Sequence, residues 1–281
     1  MGHTVSAPVA LVTGAARGIG RGVALALGES GAIVHVSDQD GDLQQSTSRG
    51  TERTTLDLPG TVDATAQQVD ARGGTGIAHV VDHTDPVAVQ TMFGDIERRH
   101  GGVDLVVANA FDGNALPFSP APFWELPTAH WENMMEAGVR SHLDTARSAA
   151  PMLIRRTGLL VLTGYRTPTD GSLGHVYYDL AMTSISRLGQ ALAHDLASHG
   201  VAVVTLSPGF TRTEAILAAF GDDPLPPGSQ SVELCGRVVR EVLRDSDRMR
   251  LTGRTIEVVE LADWYAVSDV PSASGREGAT P

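Results

Sequence analysis

The chain has 281 residues, of which 42% are hydrophobic and 19% are charged, and its formal net charge is −12. A chain of this length can bury the core of one large domain, and its acidic charge argues against binding to nucleic-acid phosphates. Cys235 is the only cysteine, which excludes an intramolecular disulfide and fits a reducing compartment. The sequence shows no signal-peptide pattern and no apolar run of about 18 residues, so we expect a cytoplasmic protein without membrane contact.

Short apolar runs alternate with longer helical patterns along the chain. Most runs lack the apolar–polar alternation of a half-exposed strand, so we expect strands that are buried on both faces. Strands that alternate with helices predict a doubly wound parallel sheet with helices on both faces, and thus a single α/β domain over residues 1–267. The predicted strands cover residues 9–13, 33–37, 76–81, 104–108, 159–163, 201–206 and 255–259, and the predicted helices include 20–29, 87–100, 131–154, 178–198 and 232–244.

Three polar segments interrupt this alternation. Residues 41–66 are rich in Gly and Thr and are longer than an ordinary strand-to-helix connection. Residues 221–230 form a Pro/Gly-rich loop, and residues 268–281 are predicted to be a disordered tail. The role of the 41–66 insertion stays open.

The helix predicted over residues 131–154 carries Arg140, His142 and Asp144. Charged and polar side chains of a helix are exposed as a rule. We therefore expect these three residues to lie on a surface that faces solvent or another subunit.

The stretch VALVTGAARGIG, residues 9–20, carries the strongest functional signal. It joins a strand pattern to a helix pattern through a glycine-rich turn, which is the context that dinucleotide binding requires. Glycines allow the tight turn and the close approach of a pyrophosphate, and the helix N-terminus offers free N–H groups and partial positive charge. The cofactor candidates in this stretch are Thr13, Gly14, Arg17, Gly18, Ile19 and Gly20.

Ligands of an open parallel sheet bind at the carboxyl ends of its strands, so residues there are further candidates. Strand two ends at Asp38, whose carboxylate can accept hydrogen bonds from an adenosine ribose and repels a 2′-phosphate, although aspartate is also a common turn residue. Arg17 has the opposite effect, because its guanidinium can pair with that phosphate. NAD(H) is thus slightly favoured over NADP(H). The other candidates are Asp82, Asn109, Ala110, Pro208, Gly209, Thr211 and Thr213, and no metal site is expected.

Together these motifs resemble the short-chain dehydrogenase/reductase family over roughly residues 7–265. The matching pieces are TGAARGIG, Asp82, ANA where the family has Asn-Asn-Ala-Gly, the segment around YYDLAM, and PGFTRT. FWELPTAHWENMMEAGVRSHL and LTGRTIEVVELADWYAVSDV are similar to the dehydrogenase/reductase member-1 subgroup. The resemblance implies a Rossmann-type sheet of order 3-2-1-4-5-6-7, bound NAD(H) or NADP(H), hydride transfer at a carbonyl or alcohol, and a homodimer or homotetramer.

The catalytic tetrad of that family is Asn, Ser, Tyr and Lys, and this chain departs from it at the lysine. With Tyr178 in the tyrosine position, Met182 stands where the lysine would lower the tyrosine pKa. If Tyr177 is taken instead, Ala181 stands there. Neither register supplies an ammonium group, because the chain contains no lysine.

The other two tetrad positions also differ. Ungapped counting places Tyr165 at the serine position, with Thr163 as the nearest hydroxyl, and Gly138 at the asparagine position. General acid–base catalysis contributes about 10²–10⁴ in rate. A phenol that lacks both its lysine and its orienting hydroxyl is therefore expected to lose roughly 3–5 kcal/mol of barrier reduction. The sequence therefore predicts a degenerate tetrad and slow carbonyl reduction unless other groups substitute.

Several residues are candidates for that substitution. Tyr165 and Tyr178 can converge on one substrate oxygen as a pair of donors. His175 can tune Tyr178 or act as a base, although a histidine in such a loop is more often solvated. Arg166 and Asp170 are expected at the substrate mouth. A bulky apolar substrate would suit a pocket that contains Phe111, Phe118, Phe123, Trp124, Tyr165 and Tyr177, which can equally be loop-packing anchors.

Three functions agree with these observations. The first is acid–base chemistry without hydride transfer in specialised metabolism, by a cyclase, dehydratase or isomerase on a scaffold whose dinucleotide is structural or vestigial. The second is an NAD(P)(H)-dependent oxidoreductase that uses Tyr178 as acid or base. The third is a dinucleotide sensor without turnover. The first is narrowly favoured, because the nucleotide-binding half is kept and the hydride-transfer half is not.

Overall fold

The computed structural model describes residues 7–41, 58–112, 121–168, 170 and 172–270. Its strands form one parallel sheet in the order β3-β2-β1-β4-β5-β6-β7, with helices on both faces, which confirms the predicted fold class. The strands are β1 (Val9–Thr13), β2 (Ile33–Asp38), β3 (Thr75–Val80), β4 (Leu105–Ala108), β5 (Leu159–Thr163), β6 (Ala202–Ser207) and β7 (Thr255–Glu257).

Eight α-helices surround this sheet in the described part of the chain. They are α1 (Gly18–Gly28), α2 (Val62–Ala71), α3 (Pro86–His100), α4 (Ser141–Arg156), α5 (Val176–Leu196), α6 (Glu214–Phe220), α7 (Val232–Arg244) and α8 (Val258–Trp264). The core has two layers, because β1, β4 and β5 are buried on both faces. Helices α1, α2 and α7 cover one face, and α3, α4 and α5 cover the other.

Two predicted segments differ in detail from the structure. The predicted helix 131–154 consists of a π-helical segment, Glu132–Arg140, followed by α4. Helix α2 lies partly inside the predicted polar insertion 41–66, and the Thr61 side chain caps it by accepting from the Ala64 N–H. Residues 42–57 of that insertion lie outside the described residues.

The end of the described chain packs against α7. The Asp269 carboxylate accepts hydrogen bonds from the backbone N–H and the hydroxyl of Ser231, which caps that helix. Residues 268–270 of the predicted tail are thus tied to the domain, and residues 271–281 lie outside the described residues. None of the helices described is long and apolar enough to cross a membrane.

Several histidines lie inside the molecule, contrary to the expectation for His142. That side chain is 1% exposed, and its Nδ1 donates to the Gly138 carbonyl oxygen at 2.7 Å. His35 on β2 is also fully buried, with its Nδ1 2.7 Å from His79 Nε2. Burial, followed by the charges of His79 and His100, lowers the pKa of His35 to about 3.

His35 makes the fold sensitive to acid. The unfolded chain takes up a proton on this ring near pH 6.5, whereas the folded chain does so only near pH 3. The free energy of unfolding therefore falls as pH drops from about 6.5 towards 3, by about 1.4 kcal/mol per pH unit for this residue. We expect His35→Asn to reduce that slope in urea denaturation between pH 6.5 and 4.5.

The matched control is His194→Asn, because His194 is exposed on α5. It should leave the pH slope as in the wild type. Equal slopes in His35→Asn and the wild type would contradict the assignment to His35.

Candidate functional site

The glycine-rich turn lies between β1 and α1 at the carboxyl edge of the sheet. Gly14 has φ +64°, and a Cβ there would lie 2.8 Å from the Ala110 Cα. A Cβ at Gly20 would lie 2.2 Å from the Gly14 carbonyl oxygen. Both positions therefore require glycine, and the turn has the tight path that the sequence predicts.

Asn109 braces this turn from the end of β4. Its Nδ2 donates to the carbonyl oxygens of Thr13, at 3.0 Å, and Gly14, at 3.1 Å. The Thr13 hydroxyl accepts from the backbone N–H groups of Asn109 and Ala110, at 2.9 and 3.0 Å. The structure thus brings these predicted residues together, and their polar groups hold the turn itself.

Asp38 lies beside the turn at the end of β2. Its carboxylate accepts from the Ala16 N–H at 3.1 Å and from the Gln39 N–H at 2.8 Å. Burial raises the pKa of this carboxyl group, and the hydrogen bond from Ala16 opposes that rise. A further donor to Asp38 would stabilise its charged form.

Arg17 is already engaged by other groups of the chain. Its guanidinium pairs with Asp40 at 2.6 Å and donates to the Gly60 carbonyl oxygen at 2.9 Å. These contacts satisfy much of its charge and donor capacity. Asp40 was not a predicted site residue, because its contact with Arg17 depends on the folded path of the chain.

The Asp82 carboxylate is used locally after β3. One oxygen accepts from both the backbone N–H and the hydroxyl of Thr84, at 2.8 and 2.6 Å. The neighbouring His83 is buried, and its Nε2 lies 2.9 Å from the Ser37 hydroxyl. Asp82 therefore stabilises a turn through one carboxylate oxygen. Its second carboxylate oxygen is the one that an adenine amino group could use.

The segment after β6 folds back onto the turn. The Thr211 hydroxyl lies 3.4 and 3.3 Å from the carbonyl oxygens of Pro208 and Gly209, and the Thr213 side chain caps α6. Glu214, which the sequence analysis missed, accepts from the Gly18 N–H at 2.8 Å. The predicted residues of PGFTRT are thus next to α1.

Tyr178 lies in the first turn of α5 and faces Phe111, with ring centroids 6.3 Å apart. Burial, with a smaller effect of Tyr165, raises the pKa of Tyr178 to about 12. Met182, one turn further along α5, is 5% exposed and belongs to the apolar core on that face of the sheet. Nothing at position 182 can lower the pKa of the phenol.

His175 caps α5 and is buried, so the expectation of a solvated side chain was wrong. Its Nδ1 accepts from the Tyr178 backbone N–H at 3.3 Å. Its ring packs edge-on against buried His130, with centroids 4.6 Å apart, and His130 stacks on Tyr177 at 5.7 Å. His175 therefore fixes the start of the helix that carries Tyr178.

The residues at the remaining tetrad positions contact other side chains of the domain. A Cβ at Gly138 would lie 2.7 Å from the Phe111 ring, so that ring fills the space beside the π-helical segment. The Thr163 hydroxyl donates to Asn109 Oδ1 at 3.1 Å. Tyr165 packs beside the same core as Tyr178 and is the side chain that acts on the Tyr178 pKa.

Two further groups of predicted residues are separated by the structure. The Arg166 guanidinium binds the Glu260 carboxylate on α8 through both of its terminal nitrogens, at 2.7 and 2.8 Å. Phe111 and Tyr177 pack on the core, whereas Phe123 and Trp124 are 63% and 72% exposed. Phe118 lies outside the described residues, so the predicted aromatic pocket is described only in part.

A seven-stranded parallel sheet with this glycine turn defines a Rossmann-type protein of the dinucleotide-binding kind. The family model described as enoyl-(acyl carrier protein) reductase matches residues 14–242. The chain belongs to the short-chain dehydrogenase/reductase family.

Its curated relatives carry dehydrogenase and reductase names. The chain is 30% identical over 281 residues to mouse (Mus musculus) dehydrogenase/reductase SDR family member 1, covering 93% of this chain and 83% of the relative. It is also 30% identical over 270 residues to cyclohexanol dehydrogenase of Rhodococcus sp. (strain TK6), covering 89% and 94%.

Solved structures share the fold. A short chain dehydrogenase from Mycobacterium paratuberculosis bound to NAD superposes with a TM-score of 0.72, 22% identity and coverage of 89% and 95% of the two chains. A metagenomic short-chain oxidoreductase in complex with NADP superposes with a TM-score of 0.66, 21% identity and coverage of 86% and 92%. These likenesses concern the fold.

We expect Asn109→Asp to destabilise the fold by about 2–3 kcal/mol, because a carboxylate oxygen would face two carbonyl oxygens that now accept hydrogen bonds. The side chain keeps its size, so the effect comes from the lost donor. Thermal and urea denaturation measure it. Asn133→Asp, a partly exposed position, is the control and should change stability by less than about 0.5 kcal/mol. Equal losses in the two variants would contradict the proposed brace.

Proposed function

We propose that the chain binds a nicotinamide dinucleotide along the carboxyl edge of β1, β2 and β4, with NAD(H) preferred to NADP(H). The glycine turn supports this, because glycine at 14 and 20 permits a tight path that a Cβ would disrupt by clashing with the backbone of Ala110 or Gly14. A turn of this kind lets the backbone approach a pyrophosphate. Asp38 would hold the adenosine ribose through its carboxylate. Arg17 already pairs with Asp40, so a 2′-phosphate would have to compete for it.

The cofactor preference can be tested at Asp38. We expect the wild type to bind NADH at least about tenfold more tightly than NADPH, since the carboxylate repels a 2′-phosphate, and Asp38→Asn to bring the two dissociation constants within about threefold. Isothermal titration calorimetry measures both. Asp195→Asn, on the exposed face of α5, should keep the wild-type ratio. A wild type that prefers NADPH would contradict the role given to Asp38.

We further propose that the reaction uses phenols as proton donors and does not depend on lysine-assisted hydride transfer. The observation that carries this proposal is Met182 in the apolar core, one helical turn from Tyr178. With a pKa of about 12, Tyr178 is protonated at neutral pH. It can donate a hydrogen bond or a proton to a substrate oxygen, but it is a poor base.

Tyr165 is the second donor in this proposal. Two phenols that point at one carbonyl oxygen would stabilise the negative charge that develops there when an enolate or a carbon–carbon bond forms. His175 would act as a positioning residue, because it holds the Tyr178 backbone. This chemistry is that of a cyclase, dehydratase or isomerase, and the aromatic residues Phe111 and Tyr177 suit a bulky apolar substrate.

A redox reaction, carbonyl reduction or alcohol oxidation, is the second candidate, and the names of the two relatives support it. When bound, NADH or NADPH supplies a hydride. Tyr178 would protonate the substrate oxygen, which its protonated state allows. Alcohol oxidation would need the phenolate, and burial of Tyr178 opposes that form.

The molecule is also proposed to be a homodimer or homotetramer. Leu143 on α4 and Leu180 on α5 are 44% and 45% exposed. Exposed leucines on two long neighbouring helices support a contact with a second copy of the chain.

Substitution of Met182 separates the two candidate functions. We expect wild-type turnover of cyclohexanone with NADH to be slow, and Met182→Lys to raise it about 100-fold, because an ammonium near Tyr178 lowers the phenol pKa. Met182→Leu, which keeps the apolar volume, should stay at the wild-type rate. Adding Tyr178→Phe to Met182→Lys should remove the gain, and Tyr177→Phe should not.

NADH absorbance follows the reaction, and circular dichroism verifies that each variant is folded. Fast wild-type turnover that Tyr178→Phe abolishes and Met182→Lys does not improve would favour the reductase and contradict the first proposal. Dinucleotide binding without any turnover would favour a sensor.

A further inference from the structure

A carboxylate of the protein occupies the N-terminus of α1. Glu214 Oε2 accepts from the Gly18 N–H at 2.8 Å, and Glu214 Oε1 pairs with the Arg21 guanidinium at 2.7 Å. The Glu214 side chain is only 13% exposed. Its carboxylate is therefore held against α1 by one backbone donor and one cation, away from most of the solvent.

This position is where an anionic ligand would be held. The first N–H groups of a helix have no partner within the helix, and the helix dipole gives that end partial positive charge. In α1 the cap residue, Arg17, makes no side-chain hydrogen bond to these groups. Gly18 follows the glycine turn directly, so its N–H is among the donors that a pyrophosphate at this turn would use.

We infer that Glu214 is an internal competitor of the dinucleotide pyrophosphate at the N-terminus of α1, and so sets the affinity for the cofactor. The inference rests on the proposed dinucleotide function. A pyrophosphate and a carboxylate cannot both accept a full hydrogen bond from the Gly18 N–H. Their negative charges would also repel each other at the same helix end. Binding of the dinucleotide therefore displaces the Glu214 carboxylate.

Displacement of Glu214 would also release α6. Apart from the largely shielded side chain of Glu214, this helix, whose seven residues are all described, has only partly or fully exposed residues. It is held at its start by the Thr213 cap and the two contacts of Glu214, and at its end by the packing of Phe220 on Phe210, with centroids 5.8 Å apart. Pyrophosphate binding and the position of α6 are therefore coupled, and such coupling acts in both directions.

A purely structural role for Glu214 predicts a different outcome. If the carboxylate only satisfies Gly18 and Arg21, its neutralisation lowers stability and leaves affinity unchanged or weaker. If it competes with a pyrophosphate, the same change lowers stability and strengthens binding. The sign of the change in affinity decides between the two roles.

The experiment measures the binding of ADP-ribose, which carries the pyrophosphate, and of adenosine, which carries no phosphate. Calorimetry is performed on the wild type, on Glu214→Gln, and on Glu97→Gln as a matched control, because Glu97 pairs with Arg155 at the other end of the sheet. We expect Glu214→Gln to bind ADP-ribose about tenfold more tightly, equal to about 1.4 kcal/mol. Adenosine binding should change less than twofold, and Glu97→Gln should match the wild type.

Glu214→Asp gives a second measurement if Glu214→Gln does not fold. Its charge is kept, but its side chain is one methylene too short to reach Gly18 from the present backbone, so ADP-ribose binding should again strengthen. A crystal structure with ADP-ribose should show Glu214 away from the Gly18 N–H.

Equal or weaker ADP-ribose binding by both variants, or a complex in which Glu214 keeps its contact with Gly18, would overturn the inference and leave the proposed function standing. Absence of ADP-ribose and dinucleotide binding by the wild type and the variants alike would refute the proposed function, and the inference with it.

Discussion

The side-chain amide of Asn109 makes the hydrogen bonds on which the glycine turn between β1 and α1 depends. It joins the ends of β1 and β4 by donating to two carbonyl oxygens of the glycine turn, and its oxygen accepts from Thr163 at the end of β5. Three neighbouring strands at the centre of the sheet therefore share one polar side chain. The glycine turn is thereby held to the ends of β4 and β5.

The sheet could be predicted from the sequence because its strands are buried on both faces. All seven predicted strands agree with the structure to within two residues at each end. Helix α2 was missed because only Val62, Thr65, Ala66 and Val69 of its ten residues are buried, so its apolar pattern is weak. The burial of His142 was missed because a π-helical segment precedes α4 and its carbonyl oxygen at Gly138 supplies a partner.

The site was predictable where its chemistry is local and not where it depends on distant contacts. The glycine turn and Asp38 follow from short motifs and from the rule for strand ends. The contact of Glu214 with Gly18 joins residues 196 positions apart, and no local pattern indicates it. The same holds for His130 beside His175, and for Asp40, which takes the charge of Arg17. Motifs report which groups are present, whereas tertiary packing decides which of them remain available to a ligand.

The contact between Phe111 and Gly138 constrains how this chain can evolve. The aromatic ring fills the volume that any side chain at position 138 would need, and Met182 fills its own part of the same apolar core. A larger side chain at position 138 therefore requires a smaller residue at position 111 at the same time. The effects of substitutions at 111 and 138 are thus expected to be strongly non-additive.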